Sequence, residues 1–383
     1  MRPATTEFLR QRFTEYYYRK ERIQAPPSVG EREFGFILFD PDSPEVRMRR
    51  HMGFGTAGEL GEYLRSLVPA HAFYSSAYYT APGAGTMAEK GWTGADLIFD
   101  LDADHLMRGP YRAMLDRVKE ETGKLLSMLT GELGFSERDI HLVFSGGRGY
   151  HVHVREIGVR GWGSQERREL IDYVCGIGID PGALLSGPSD GTPGWKERYI
   201  STISEYLLWL KGLGREEGVE HLMGIPGIGR DRAPRFIDAI DAYLAGLGKE
   251  DYGALTGNQV FSAISAGGKF QELLRSRAAL ADEPVTTDTR RLIRMPTTLH
   301  GGSGLRVTPV PLGDFASFDP LQDAVVFSDR PVKVETGTSL SMEILGNLYR
   351  VGKGVTALPE ALAVFLCARG LAEIAGEGGH APR

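Results

Sequence analysis

Leu97-Ile98-Phe99-Asp100-Leu101-Asp102-Ala103-Asp104-His105-Leu106 is the stretch on which the reading of this chain turns. As a β-strand with period two, it puts Asp100, Asp102 and Asp104 on one face and Leu97, Phe99 and Leu101 on the other. The apolar face suits a core and the acidic face a cleft. Close carboxylates repel by roughly 4 kcal/mol per pair at an effective dielectric near 20, and folding alone gives no reason to accept that. A hard divalent cation gives one, because Mg²⁺ takes oxygen ligands, commonly one or two carboxylates together with substrate phosphates. The plain alternative for an isolated D-x-D is a solvated acidic strand edge, and the stretches that follow weigh against it.

Downstream lies Ser145-Gly146-Gly147-Arg148-Gly149-Tyr150-His151-Val152-His153. Its glycines let the backbone turn sharply and bring N–H groups against a ligand. In the strand that follows, His151 and His153 share a face opposite Tyr150, Val152 and Val154. Arg148 offers the planar fork of donors that suits a phosphate. Taken alone, the segment also reads as a plain hairpin turn with an exposed arginine. It is not a Walker A loop, since G-x-x-x-x-G-K-[ST] occurs nowhere in the chain. A zinc site on His151 and His153 lacks a third nearby ligand.

A third segment runs from Asp282-Glu283-Pro284-Val285 into Arg290-Arg291-Leu292-Ile293-Arg294-Met295-Pro296 and Leu299-His300-Gly301. Read as a helical turn, it places Arg290 and Arg294 on one face; by itself it has no assigned purpose. Combined, the three segments supply carboxylates for two divalent cations and arginines with a histidine for a triphosphate. A triphosphate near about −4 beside three carboxylates cannot assemble without multivalent cations. The chemistry that needs both is nucleotidyl transfer.

Composition agrees with an ordinary globular protein: 383 residues, 42% hydrophobic and 25% charged. The net charge of −6 argues mildly against a chain coated in nucleic acid, but a local basic groove remains compatible with it. The two cysteines, Cys175 and Cys367, exclude a disulfide framework or a four-cysteine zinc site. There is no signal-peptide core near Met1 and no apolar run of about 18 residues. A soluble, cytoplasmic protein is the expectation.

Along the chain, residues 5 to 22 read as an amphipathic helix ended at Pro26-Pro27. Arg32 to Phe39 and Val46 to Arg50 read as a hairpin around the turn Asp40–Pro44, its arginines either a solvated edge or a nucleotide contact. Gly55 to Leu67 reads as a helix and Phe73 to Tyr79 as a strand. Gly83-Ala84-Gly85-Thr86-Met87-Ala88, inside the loop Thr80 to Gly91, matches a dinucleotide fingerprint by letter only and is discarded. Tyr111 to Leu133 is helical, and Ile140 to Phe144 and Tyr150 to Val154 are strands. Gly158 to Leu280 is mostly helical, with Gly/Pro breaks near Gly187–Gly194 and Gly224–Pro234. Strand character returns near Val285, Leu305 to Val310 and Val325 to Val334, and a helix from Pro359 to Ala375 precedes a frayed tail. The expected division is a discontinuous core, 1–157 and 281–383, with a helical insertion, 158–280.

Taken together, these segments resemble the catalytic (small) subunit of archaeal and eukaryotic-type DNA primase, over nearly the whole chain. The likeness runs through Arg32–Phe36, Phe73–Tyr79, Lys90-Gly91-Trp92, Ala95–Asp102, Ser145–His151, Arg291–Arg294 and Leu299–Gly301. It implies an α+β fold: a mixed-sheet catalytic core with a helical subdomain. It implies Asp100, Asp102 and Asp282 as catalytic metal ligands for two Mg²⁺ or Mn²⁺ ions, with Asp288 as the fallback for the third carboxylate. Ser145, Arg148, His151, Arg294 and His300 would bind the nucleotide, and Asp104 receives no role. It implies de novo primer synthesis on a single-stranded DNA template from NTPs or dNTPs, and a large subunit as heterodimer partner. Many relatives carry a cysteine-rich zinc knuckle, but Met107 to Ile140 has no cysteine, so no structural zinc is expected. A stand-alone primase-polymerase or end-joining polymerase of the same superfamily is an alternative, as is a nucleic-acid-binding module without activity. Finally, Leu222-Met223-Gly224-Ile225-Pro226-Gly227-Ile228-Gly229-Arg230 resembles the hairpin of a helix-hairpin-helix DNA-backbone binder, although an ordinary helix connection is the preferred reading.

Overall fold

The computed structural model describes residues 1–19, 23–39, 47–186 and 194–375, without the side chain of His105. The expected turn Asp40–Pro44, Val46, most of the Gly187–Gly194 break and the tail beyond 375 lie outside the described residues. The chain forms two compact units. One comprises Met1–Glu120, Phe135–Arg168 and Ala281–Arg383; the other comprises Glu121–Gly134 and Glu169–Leu280. The architecture is α+β.

The first unit carries the strands. In chain order they are β1 (Phe34–Ile37), β2 (Met48–Met52), β3 (His71–Ser75), β4 (Ala77–Tyr79), β5 (Trp92–Ala95), β6 (Leu97–Asp102), β7 (Ile140–Phe144) and β8 (Gly149–Val154). They continue as β9 (Leu292–Arg294), β10 (Thr308–Val310), β11 (Pro331–Thr336), β12 (Leu340–Ile344), β13 (Asn347–Val351), β14 (Gly354–Pro359) and β15 (Ala372–Ile374). Two four-stranded antiparallel sheets matter for the site, with orders β2-β1-β3-β9 and β10-β7-β8-β6. A shared core ties them together: Phe34, Phe36, Tyr74 and Ile293 from the first sheet meet Ile98 from β6, closed by Phe13, Tyr16 and Tyr17 of the helix Pro3–Tyr17. Each such large side chain taken out of water contributes roughly 1.5–3 kcal/mol. The Arg-rich arm β2 is an edge strand, and Arg50 Nε reaches Glu33 Oε1 at 3.1 Å.

The second unit is helical. Tyr199, Ile203, Tyr206, Leu207 and Leu210 of the helix Trp195–Gly212 are buried, and Phe270 of the helix Gly268–Arg275 packs on the Tyr199 and Tyr206 rings. No helix among the described residues is long and apolar enough to cross a membrane.

Several expectations need correction. The acidic strand ends at Asp102, and Asp104 falls in the short helix Ala103–Leu106, off the Asp100 face. Asp102 itself caps that helix, its Oδ1 accepting the Asp104 N–H at 2.9 Å; a short polar side chain competes well for exposed backbone donors. Residues 290–294 are not a helical turn: Leu292–Arg294 is a strand paired with β3, so Arg294 lies opposite Phe73. The apolar Ile293 and the partner edge of β3 outweigh the i, i+4 pattern. Val285 lies in the helix Glu283–Thr287, where Pro284 suits a first turn. Phe73–Tyr79 breaks at Ser76 into β3 and β4 of different sheets. The last helix stops at Ala368, and β15 follows it.

Candidate active site

β6 and β8 run side by side with Asp100 opposite His151 and Asp102 opposite Gly149. That register demands a glycine: a Cβ at position 149 would stand 2.3 Å from the Leu101 carbonyl oxygen. Gly146 has φ +76°, the left-handed region that glycine enters without strain. The Ser145 hydroxyl oxygen closes the turn, accepting the N–H of Gly147 at 3.2 Å and of Gly149 at 3.3 Å. The Ser303 hydroxyl donates to the Gly146 carbonyl at 2.5 Å and so fastens the His300–Gly304 loop to the turn.

The histidines are neutral by environment. His300 is held well below its usual value, first by burial and then by Arg294 and His71. Its Nδ1 accepts the Gly302 N–H at 3.2 Å, which leaves the proton on Nε2. His151 is pushed down to about 3 by burial, Arg294 and Arg291, and its Nε2 lies 3.5 Å from Asp100 Oδ1. His71, which sequence reasoning missed, is lowered to about 3 by burial and Arg294. It accepts from Arg294 Nη1 at 2.7 Å and from the Gly301 N–H at 3.2 Å. Arg294 also sits over the Phe73 ring at 5.1 Å, and burial lowers it to about 10. Arg148 is ion-paired with Asp104, which gives that residue a place the sequence did not.

A cavity of about 400 Å³ gathers these groups. Seven of the eight residues singled out from the sequence line it: Asp100, Asp102, Ser145, Arg148, His151, Arg294 and His300. Asp282 does not. Its N–H donates to the Asp100 carbonyl at 2.8 Å, and its charge reaches the Asp100 carboxyl. Asp288 instead turns back on its own loop, accepting the Arg290 N–H at 2.9 Å. Sequence reading missed Phe73, Arg291 and Arg369, which also line it. Arg291 lay inside a quoted basic run, whereas nothing local marks Arg369, which follows an apolar helix.

Burial, then the charges of Asp102 and Asp282, push Asp100 up to about 7 against the pull of Arg291 and Arg294. Among the described residues, no three His, Cys, Asp or Glu side chains form a ready-made metal cage. The Asp100 and Asp102 carboxylates on the cavity wall are hard oxygen donors, the ligand type that Mg²⁺ takes. His151 and His153 are both buried, their ring centroids 6.4 Å apart and edge-to-face.

Comparison with known proteins gives one family. The sequence profile of the DNA primase small subunit family matches residues 99–312. The chain is 56% identical to the DNA primase small subunit PriS of Methanoregula boonei over 377 residues, covering 98% of this chain and 100% of that protein. The PriS protein of Methanosphaerula palustris is 54% identical over 98% of this chain and 99% of its own length. That of Methanospirillum hungatei is 50% identical, with both chains fully covered. On likeness of that extent, this chain belongs to the DNA primase small subunit family.

Proposed function

We propose that the chain is a DNA primase catalytic subunit that synthesises short primers de novo on single-stranded DNA, working with a large subunit. The observation that carries this reading is the meeting of the β6 carboxylates with Arg148, Arg291, Arg294 and His300 in one cavity. The naming of its relatives as small subunits supports a larger partner.

In this reading Asp100 and Asp102, with Asp282 outside the cavity wall as the third carboxylate, would hold two Mg²⁺ or Mn²⁺ ions. Bound there, such ions supply Lewis-acid stabilisation of an attacking 3′-oxygen and a leaving pyrophosphate. Arg148 and Arg294 grip the triphosphate of the incoming nucleotide through charge-assisted hydrogen bonds. His300, neutral with its proton on Nε2, donates one more hydrogen bond without adding charge. His71 acts on the site at one remove, steering the Arg294 guanidinium. Glycines at 146 and 149 let the backbone close in where a side chain would block it.

The test is a primer-free, template-directed assay in which NTPs and dNTPs are supplied separately with Mg²⁺ or Mn²⁺. Asp100→Ala with Asp102→Ala is expected to abolish product while single-stranded DNA binding persists. Wild-type synthesis by that double variant would sink the metal-site assignment. Co-purification of a second subunit tests the partner.

A further inference from the structure

The helical unit carries a second feature, remote in sequence from every residue of the cavity. The helices Arg215–Met223 and Arg232–Asp238 are joined by Gly224–Asp231, whose inner face is anchored by the buried Leu222, Ile228, Ala233 and Phe236. Ile225 and Ile228 turn the chain through i→i+3 bonds, Ile225 N–H to Leu222 and Ile228 N–H to Ile225. Gly227 has φ +92°, and a Cβ at 227 or 229 would meet nothing within 4 Å. The hairpin tip is therefore open. The N–H groups of Gly227, Gly229, Arg230 and Asp231 have no acceptor among the described residues. These are backbone donors on an exposed turn, the kind of group that receives phosphate oxygens.

Charge points the same way. Over residues 224–237 three arginines, Arg230, Arg232 and Arg235, face one carboxylate, Asp231, in a unit where acidic residues otherwise outnumber basic ones. All three arginines are exposed. Arg232 donates to Gln259 at 2.7 Å, while Arg230 and Arg235 form no ion pair among the described residues. The Arg215–Asp238 pair already neutralises the carboxylate at the end of the second helix. Alongside, a Cβ at Gly267 would lie 3.6 Å from Ile225, so the exposed Gly268 and the half-buried Lys269, itself paired with Glu272 at 3.3 Å, stand next to the hairpin. Open backbone donors and the side chains of Arg230 and Arg235 thus share one exposed tip.

We propose that the Gly224–Arg235 hairpin binds the sugar–phosphate backbone of a nucleic-acid strand without reading its sequence. Backbone N–H groups of the tip and Arg230 and Arg235 contact neighbouring phosphates; the cavity residues take no part.

The test uses the full chain and labelled 20-mers of two unrelated sequences, single-stranded and duplex, by fluorescence anisotropy over a salt series. Wild-type affinity is expected to be alike for the two sequences. Arg230→Glu with Arg235→Glu should weaken binding roughly tenfold or more and flatten the log–log salt slope by about 1.4, two phosphate contacts at about 0.7 each on a single strand. Both side chains are exposed, so a thermal melt should match that of the wild type. Asp231→Asn, which removes the one opposing charge, should tighten binding. Asp100→Ala with Asp102→Ala should leave these affinities unchanged, which separates this proposal from the catalytic one. The strand form that loses affinity identifies the bound species; unchanged affinity and slope for both forms in the arginine variant would overturn the proposal.

Discussion

At position 149 a hydrogen atom decides whether two strands can lie together. Gly149→Ala would drive a methyl group into the Leu101 carbonyl, a backbone atom that cannot rotate away. Overpacking of that kind costs about 1–3 kcal/mol, so we expect a lower urea midpoint together with impaired activity. Arg148 is the counterpart on the ligand side. In the proposed function it binds phosphate; charge-assisted bonds of that kind are worth about 1.5–3 kcal/mol, so Arg148→Ala should raise the nucleotide KM about ten- to a hundredfold. Steady-state kinetics at saturating template would check this, and an unchanged KM would remove the arginine from the triphosphate seat. Both positions were legible in the sequence only beside the acidic strand and the basic run, because S-G-G-R-G alone also reads as a plain hairpin turn. His71 was not, since a lone histidine in an ordinary strand acquires meaning only when Arg294 and Gly301 are brought against it.

Elements tell a different story from residues. β6, β7 and β8 announce themselves through alternation, whereas 290–294 follows helical spacing and still forms a strand, because β3 offers an unpaired edge. Asp104 left the acidic face for a similar reason: the Asp102 carboxylate found a backbone N–H to cap, and the strand ended. The helix Glu360–Ala368 shows how a helix start can depend on distant groups. Burial by itself would raise Glu360, but hydrogen bonds from the Ser328 hydroxyl and N–H and from Arg12 overcome it and hold its carboxyl below the usual range. A depressed carboxyl stabilises the fold above its unfolded-state value and loses that contribution as pH falls through the folded one. Glu360→Gln is therefore expected to lower stability at pH 7 and to flatten the decline below about pH 4.5. Urea melts from pH 3 to 7 would reveal it, and parallel curves for the two proteins would refute it.

Across the whole molecule, the two ends of the first unit are laced to each other. The buried Thr5 hydroxyl accepts the Ile374 N–H at 3.0 Å, Arg2 N–H donates to Glu373, and Arg12 meets Glu360 at 2.8 Å. Thr5→Val keeps the shape and strips the acceptor, so we expect a loss of about 1–2 kcal/mol and faster amide exchange at Ile374; unchanged exchange would mean that β15 is held by other contacts. This lacing is invisible in sequence because its partners are hundreds of residues apart. Sequence by itself determined the acidic strand and the glycine turn, written in local alternation and residue type, and, through the resemblance of the segments taken as a set, the family and its α+β class. Tertiary structure decided which carboxylates and cations share a cavity, where Asp104 and Arg369 stand, and that the Gly227 hairpin is left open. Those outcomes depend on strand edges and buried charges meeting across the chain, and no local pattern encodes a neighbour that folding has yet to supply.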